Sequence, residues 1–189
     1  DTTLFDGTQY WEARAIKTLQ GTENAPTDLT SEYVKNGDGP FAASYVLRTA
    51  AFRDFYSDFI SVEPGEEIYG EMWVRTISGT GGLFYYGVER FDKDKLPIAG
   101  NTGTNYFVAS GSNQTSTSWQ QYSNNLTLPT THTSFGGSDG LGVKYIRIRI
   151  LMNHNAGGAL REFGPPILKR INVQSKISTD KDLYVGGNA

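Results

Sequence analysis

Strict alternation of apolar and polar residues over residues 145–152 limits the possible folds more than any other feature of the sequence. One set of residues is apolar: Ile146, Ile148, Ile150 and Met152. The other set is aromatic or basic: Tyr145, Arg147 and Arg149. Successive side chains of a β-strand point to opposite faces, so a period of two indicates a strand with one buried face. Half-buried strands of this kind are typical of antiparallel sheets.

Residues 67–77 repeat the same pattern. The apolar face comprises Ile68, Met72 and Val74. The opposite face mixes aromatic and charged residues: Tyr69, Glu71, Trp73 and Arg75. Two long segments with this alternation predict two central strands of a β-sheet protein.

Shorter segments rich in aromatic and β-branched residues lie between closely spaced turn signals such as Asn36-Gly37 and Pro64-Gly65. We expect further strands at residues 43–49, 58–62, 83–91, 104–109 and 167–175. Many short strands separated by Gly and Pro turns are typical of an antiparallel β-sandwich or barrel. A helical stripe fits only residues 9–19, and that segment suits an extended strand equally well.

Residues 101–140 have an unusual composition. Ser, Thr, Asn and Gly account for 25 of these 40 residues, and Asp139 is the only charged one. The segment also contains five aromatic residues: Tyr106, Phe107, Trp119, Tyr122 and Phe135. Flexible linkers do not carry this many aromatics, so we expect long polar loops and edge strands packed on the sandwich. Such a mixture suits sugar contacts, and it is also ordinary β-sheet surface.

Several kinds of catalytic and metal site are excluded by residue content. The sequence has no cysteine, which rules out disulfides, thiolate zinc sites and thiol catalysis. Two histidines leave few arrangements for a Ser-His-Asp triad, and no phosphate-binding or dinucleotide-binding motif is present. Asp92-Lys93-Asp94 lacks the Gly and final Glu of a calcium loop, so we interpret it as a charged hairpin turn. We expect no catalytic residues, no metal site and no cofactor.

Charge is distributed unevenly along the chain. Residues 144–181 hold eight Lys/Arg and two Asp/Glu, a net charge of +6, whereas the remainder has a net charge of -9. The basic part suits an acidic ligand, or it is a solvated strand face paired within the molecule. A pI of about 5.4 argues against nucleic acid as the main partner. No apolar stretch is long enough to predict membrane insertion.

The polar faces of the two alternating segments combine aromatic rings with charged groups. A ring offers a flat apolar surface to the C–H face of a sugar, and neighbouring Arg, Glu or Asn side chains hydrogen-bond its hydroxyls. If the two strands are neighbours, they form a glycan platform on which Arg147 and Arg149 favour an acidic glycan. The same residues also suit a second packing layer or a subunit interface.

Two stretches of sequence share their order of motifs with a known family. Residues 59–98 contain a strand, Pro64-Gly65, a strand with Trp73, and a Gly-Val-x-x-Phe-Asp motif at residues 87–92. Residues 143–153 contain a Lys-Tyr-Ile-Arg strand. This course resembles the carbohydrate-binding-module-like jelly rolls of bacteriophage tail fibres and tailspikes, over residues 40–173. Residues 182–189 resemble the start of the short β repeats of fibre shafts.

The resemblance implies an all-β, antiparallel jelly-roll β-sandwich in a homotrimeric virion protein that acts outside the cell. We assign residues 37–173 to the sandwich and residues 1–36 to an N-terminal extension or lead-in element. Residues 174–189 are then a short C-terminal connector into a fibre-shaft repeat. The predicted role is non-enzymatic: the domain contributes to host attachment by binding bacterial surface polysaccharide. Related modules use an aromatic-Asp strand at a structural calcium, which the segment from Phe163 to Lys169 does not reproduce.

We predict six ligand-binding residues. Three are stacking surfaces: Trp73, Tyr85 and Trp119. Three are polar clamps: Arg75, Arg147 and Arg149. Three alternatives remain: a fibre spacer or trimerisation module without a ligand, an enzyme with two carboxylates in a groove, and a carbohydrate-binding module of a secreted polysaccharide-degrading enzyme. The last predicts a monomer that binds neutral glucans.

Overall fold

A computed structural model of the chain describes residues 2–9, 32–42, 44–98, 104–108, 114–130, 142–155 and 158–171. Within these ranges twelve β-strands form two antiparallel sheets, which pack face to face. The predicted all-β jelly-roll sandwich is confirmed. In the described part of the chain, no helix has the length and apolar character needed to span a bilayer.

Sheet A has seven strands and sheet B has five. The strands of sheet A are β1 (Thr2–Asp6), β2 (Tyr33–Lys35), β3 (Tyr45–Thr49), β6 (Glu67–Ser78), β9 (Gln120–Thr127), β11 (Leu160–Phe163) and β12 (Ile167–Arg170). The strands of sheet B are β4 (Arg53–Tyr56), β5 (Ile60–Ser61), β7 (Leu83–Phe91), β8 (Thr104–Val108) and β10 (Tyr145–His154).

Strand β6 is the central strand of sheet A. β9 pairs with one of its edges, and β11 and β12 pair end to end with the other. Gly164, Pro165 and Pro166 separate β11 from β12, and a proline has no N–H to donate to a ladder, so the strand is interrupted there. β1 then pairs with β12, while β3 and β2 extend the sheet from β11.

Strand β10 is central in sheet B. β7 pairs with one of its edges, and β4 and β5 pair with different parts of the other. β8 extends the sheet beyond β7. The sheet therefore places the outward residues of β4, β10, β7 and β8 side by side.

The core lies between the two sheets. Its inner layers come from the apolar faces that the alternation predicts: Ile68, Met72 and Val74 of β6, and Ile146, Ile148, Ile150 and Met152 of β10. All seven side chains are fully buried. Burying one such side chain contributes about 1.5–3 kcal/mol, so exchanging the inner and outer faces of either strand is strongly unfavourable.

The structure adds strands that lack a sequence signal. β1, β2, β4 and β11 are three to five residues long and show no clear alternation. Because β1 and β2 belong to sheet A, the predicted domain boundary at residue 37 falls inside that sheet. Of residues 9–19, for which the sequence left a helix and an extended strand open, only Gln9 is among the described residues, and it is helical. The predicted connector at residues 174–189 lies outside them.

Candidate functional site

The six residues predicted to contact a ligand lie on opposite faces of the sandwich. Trp73 and Arg75 project from the outer face of sheet A, where Trp119 joins them just before β9. The other three project from the outer face of sheet B: Tyr85, Arg147 and Arg149. The single platform expected if β6 and β10 were neighbours does not form, because each strand buries its apolar face in the shared core and turns its polar face away from it.

A loop at residues 36–42 covers part of the outer face of sheet A. The Phe41 ring meets Trp119 edge-on at 5.4 Å between ring centres, and it meets Trp73 in the same way at 6.5 Å. Gly39 has a positive φ of 63°, and a Cβ atom there would lie 2.4 Å from Cδ1 of Trp119. The indole therefore packs directly on the glycine backbone, and the loop and both tryptophans form one unit.

A buried carboxylate holds this unit to the sheet. Glu162 of β11 is fully buried, and the strand registers place it directly between Arg48 of β3 and Arg75 of β6. Its Oε1 accepts from Arg48 Nε at 2.8 Å, and its Oε2 accepts from Arg75 Nε at 2.7 Å. Burying an unpaired carboxylate has a large free-energy cost, so Glu162 needs the two arginines in order to stay buried.

Arg75 also connects the sheet to the loop. Its Nη1 donates to Asp38 Oδ2 at 2.9 Å, and Trp119 Nε1 donates to Asp38 Oδ1 at 3.4 Å. These hydrogen bonds, that of Arg75 first, lower the pKa of the Asp38 carboxyl below its usual range. The guanidinium carbon lies 4.7 Å from the centre of the Trp119 ring. Arg75 therefore positions the indole, and its charge is matched by two carboxylates.

Beyond this unit, the outer face of sheet A carries a mixed aromatic and polar surface, which we call the sheet A strip. It consists of Tyr69, Glu71 and Trp73 of β6 with Gln121, Ser123 and Asn125 of β9. The antiparallel register places these residues directly opposite one another in three pairs. The β6 side chains are half-buried, whereas those of β9 are exposed.

Hydrogen bonds fix the centre of the sheet A strip. Glu71 Oε2 accepts from the Tyr69 hydroxyl at 2.9 Å and from Gln121 Nε2 at 3.1 Å. Burial and the adjacent Glu71 raise the pKa of the Tyr69 phenol, so the hydroxyl remains a donor at neutral pH. Tyr69 and Trp73 are four residues apart, about 13 Å along an extended strand. The strip thus offers two ring surfaces with donors and acceptors between them.

The outer face of sheet B is dominated by ion pairs over aromatic rings. Arg147 Nη2 lies 3.0 Å from Glu89, and Arg149 Nη2 lies 2.9 Å from Asp54. The guanidinium carbon of Arg147 is 4.3 Å from the centre of the Tyr56 ring. Both predicted clamps therefore have their charge matched within the chain, and their role as ligand contacts stays a prediction.

Tyr85, the remaining predicted stacking residue, belongs to a row of rings across sheet B. Its ring centre lies 5.3 Å from that of Tyr106 and 5.6 Å from that of His154, which is itself 5.6 Å from Phe52. Asn153 has a positive φ of 53°, and the register of β10 shifts between residues 151 and 154. This irregularity brings His154 beside Tyr85 on the outer face.

Sequence reasoning missed several of these residues. Asp38 and Phe41 lie in a segment read only as a turn, and Glu162 is a single carboxylate without a local motif. Gln121, Ser123 and Asn125 alternate with Tyr122, Asn124 and Leu126, and the polar Asn124 interrupts the apolar set, so hydropathy gives β9 only a weak face. The one available signal was Trp119 within the polar segment 101–140, which marked the region without assigning its strand.

The described residues contain no group of three or more His, Asp or Glu side chains that could hold a metal ion. The Asp92 carboxylate instead closes a turn. Its Oδ1 accepts from the backbone N–H of Asp94 and of Leu96, each at 2.8 Å. This geometry matches the interpretation of residues 92–94 as a charged hairpin turn.

No protein family and no curated protein match this sequence. Solved structures do, at low identity. A family 16 carbohydrate-binding module is similar with 13% identity and a TM-score of 0.46, covering 73% of this chain and 84% of the module. The enzymatically active domain of bacteriophage CBA120 tailspike protein 4 is similar with 14% identity and a TM-score of 0.45, covering 74% of this chain and 17% of that one.

The CBM22-1–GH10 modules of Clostridium thermocellum endo-1,4-β-D-xylanase 10B, complexed with xylohexaose, are also similar. The identity is 14% and the TM-score 0.46, and the match covers 74% of this chain and 24% of that one. The chain thus spans most of the isolated module and about a quarter or less of the two longer proteins. At this identity the likeness is one of fold.

Proposed function

We propose that this chain is a non-enzymatic glycan-binding domain whose ligand lies along the sheet A strip. One observation carries the proposal: two half-exposed rings, Trp73 and Tyr69, lie in line with exposed amides of β9, and Glu71 is fixed between them. Sugars bind to proteins through ring stacking on their C–H faces and hydrogen bonds to their hydroxyls. The sheet A strip supplies both kinds of contact on one open face.

The choice of sheet A over sheet B rests on how the polar groups are used. On sheet B, the arginine and carboxylate side chains bind one another, through Arg147–Glu89 and Arg149–Asp54. On sheet A, the outward side chains of β9 are exposed amides and hydroxyls, which can donate and accept without breaking an ion pair.

The non-enzymatic part of the proposal is supported by the roles of the buried carboxylates. Glu162 is held by two arginines, and Glu66, also buried, pairs with Arg170. These are structural ion pairs that join neighbouring segments of sheet A. Release of reducing ends from a bound polysaccharide would overturn this part of the proposal.

At a finer level, we propose that the domain belongs to a phage tail fibre and attaches the virion to bacterial surface polysaccharide. The sequence resemblance over residues 40–173 supports this assignment. A fibre trimer presents three copies of the sheet A strip, so weak single sites produce strong attachment when several bind at once.

Screening the chain, fused to a trimerisation motif so that its valency does not depend on the outer face of sheet B, against an array of bacterial surface polysaccharides tests the proposal. We expect specific binding that Trp73→Ala weakens roughly tenfold or more, since it removes one stacking surface. Tyr85→Ala is the matched control, because Tyr85 is also a half-buried aromatic residue of an outer face, but on sheet B.

Thermal unfolding separates lost contacts from lost folding in this experiment. The proposal holds if Trp73→Ala loses affinity and retains a cooperative transition, while Tyr85→Ala binds like the wild type. If a folded trimer binds no polysaccharide on the array, glycan binding is contradicted and a structural spacer is favoured.

A second function, joining of fibre segments through self-association, is favoured by the exposed apolar residues of the sheet B side. Phe52 and Phe59 are 49% and 39% exposed on this side of the sandwich. Leu96, in the turn after β7, is 51% exposed. Aromatic residues and arginines are enriched at protein interfaces. We propose that the outer face of sheet B contacts the other copies in a homotrimer, which leaves the sheet A strip open to the ligand.

A further inference from the structure

The charges around the sheet A strip bear on which sugars it can hold. Glu67 and Glu71 project from β6 on this face, and the described strand β9 contains no charged residue. Lys169 of β12 lies opposite Tyr69, with its ammonium nitrogen 5.9 Å from the ring centre. Among the residues that the structure describes, two carboxylates and one ammonium group therefore flank the centre of the sheet A strip.

Arg75 lies on the same face, two residues after Trp73, but it does not reverse the excess of negative charge around the sheet A strip. Its guanidinium is bound to Glu162 at 2.7 Å and to Asp38 at 2.9 Å, and its side chain is only 16% exposed. Arg48 shares Glu162, so two arginines and two carboxylates make a neutral cluster. Nε and Nη1 of Arg75 are occupied by these partners, so a ligand carboxylate would meet a guanidinium whose charge is already matched.

The other predicted clamps cannot supply positive charge to the sheet A strip. Arg147 and Arg149 lie on the opposite face of the sandwich, beyond the core. Glu89 and Asp54 neutralise them in place, at 3.0 Å and 2.9 Å. The platform expected to favour an acidic glycan required these two arginines to lie beside the strand that carries Trp73.

From this charge arrangement we infer that the sheet A strip selects uncharged glycans and rejects acidic ones. The inference rests on the proposed function and names its ligand class. Sugar hydroxyls can donate to Glu71 and exchange hydrogen bonds with the β9 amides. Repeated carboxylates or phosphates of an acidic glycan lie within one Debye length, roughly 8–10 Å, of Glu67 and Glu71, so repulsion is only partly screened.

Matched pairs of polysaccharides that differ only in charge test the inference. Neutral glucan, mannan and galactan are each compared with a derivative whose primary hydroxyls are oxidised to carboxylates. Polygalacturonate is compared with its carboxyl-reduced form. Titration calorimetry at low salt is expected to show binding to neutral members at least roughly tenfold tighter than to their charged partners, with a smaller gap at high salt.

A pair of charge-removing variants locates the source of the discrimination. Glu71→Gln retains the shape of the side chain and is expected to reduce the neutral-to-acidic ratio several-fold. Asp94→Asn is the matched control, since it removes one negative charge from an exposed turn in sheet B, and it is expected to keep the wild-type ratio.

Each outcome of this experiment separates the inference from the proposed function. If the charged forms bind as tightly as the neutral ones, and Trp73→Ala abolishes that binding, the selectivity is wrong and glycan binding stands. An unchanged ratio in Glu71→Gln also overturns the role assigned to this carboxylate. If no member of any pair binds, the inference is wrong, and the array of bacterial surface polysaccharides decides the proposed function separately.

Discussion

Gly39 shows how one residue sets the shape of the loop over sheet A. Its backbone has a φ of 63°, a region in which a side chain is disfavoured by about 1–2 kcal/mol, and the Trp119 indole occupies the place of a Cβ atom. Only glycine satisfies both conditions. The position of Trp119, and with it the contact to Phe41, therefore depends on the absence of a side chain at residue 39.

Gly39→Ala is expected to lower the free energy of unfolding by about 1–3 kcal/mol, since it combines backbone strain with a clash against Trp119. Urea unfolding measures the loss, and near-UV circular dichroism reports the displaced indole. Gly37→Ala is the matched control: no atom lies within 4 Å of its added Cβ, so we expect a change within about 0.5 kcal/mol. Equal stability of the two variants would contradict the packing described here.

At the scale of elements, Tyr86 connects the two sheets. It lies on the inner face of β7 in sheet B, and its hydroxyl donates to the Ile167 carbonyl of β12 in sheet A at 2.9 Å. Complete burial, then the nearby Glu71 and Tyr69, raise the pKa of this phenol well above its ordinary value. The hydrogen bond thus holds the sheets in register wherever the phenol stays protonated.

Tyr86→Phe is expected to cost about 1 kcal/mol at neutral pH, because the Ile167 carbonyl loses a partner. A phenol whose pKa is raised by folding stabilises the protein below its unfolded pKa of about 10, and this contribution is lost as pH rises further. The wild type should therefore lose stability above about pH 10, and the variant should lose less.

Urea unfolding at a series of pH values measures both effects. Tyr85→Phe removes a hydroxyl from the outer face of the same strand and should change the neutral-pH free energy of unfolding by less than about 0.5 kcal/mol. If the free energies of unfolding of the wild type and Tyr86→Phe fall in parallel above about pH 10, another group causes the loss of stability.

At the scale of the whole molecule, the two outer faces suit different partners. The sheet A strip is polar with two rings, whereas sheet B exposes Phe52 and Phe59 beside paired arginines. In a trimer formed through sheet B, the three sheet A strips face outward. In the proposed trimer, attachment and self-association would use opposite faces of the sandwich and would not compete for the same surface.

Mass measurement by light scattering tests the trimer. We expect three times the 20.8 kDa chain mass for the wild type and the monomer mass for Phe59→Ser, which places a polar group at the proposed contact. Ile77→Ser is the matched control, because Ile77 is 40% exposed on sheet A, against 39% for Phe59. A wild type that is monomeric at every concentration overturns the trimer and favours a module of a secreted enzyme.

The alternating segments were sufficient to predict the central strands and their buried faces. β7 begins and ends at the predicted residues, and β6 and β10 extend one or two residues further. This success has a local cause. Odd and even positions of a strand point to opposite faces of the sheet, and burial of the apolar set decides which face each position takes. The short strands carry no such pattern and in β9 it is interrupted at Asn124, so their pairing could not be predicted from the sequence.

Local sequence patterns were enough to predict the sheet class, the core-facing residues and the residue types able to contact a sugar. Which of those residues lie together depends on how the strands pair. Glu162 lies 114 residues from Arg48 and 87 from Arg75 along the chain, yet register across three strands puts all three in contact. Strand pairing also places Trp73 in sheet A and Arg147 in sheet B, so the two side chains lie on opposite faces of the sandwich. Strand pairing is a long-range property of the whole sheet, and no local periodicity encodes it.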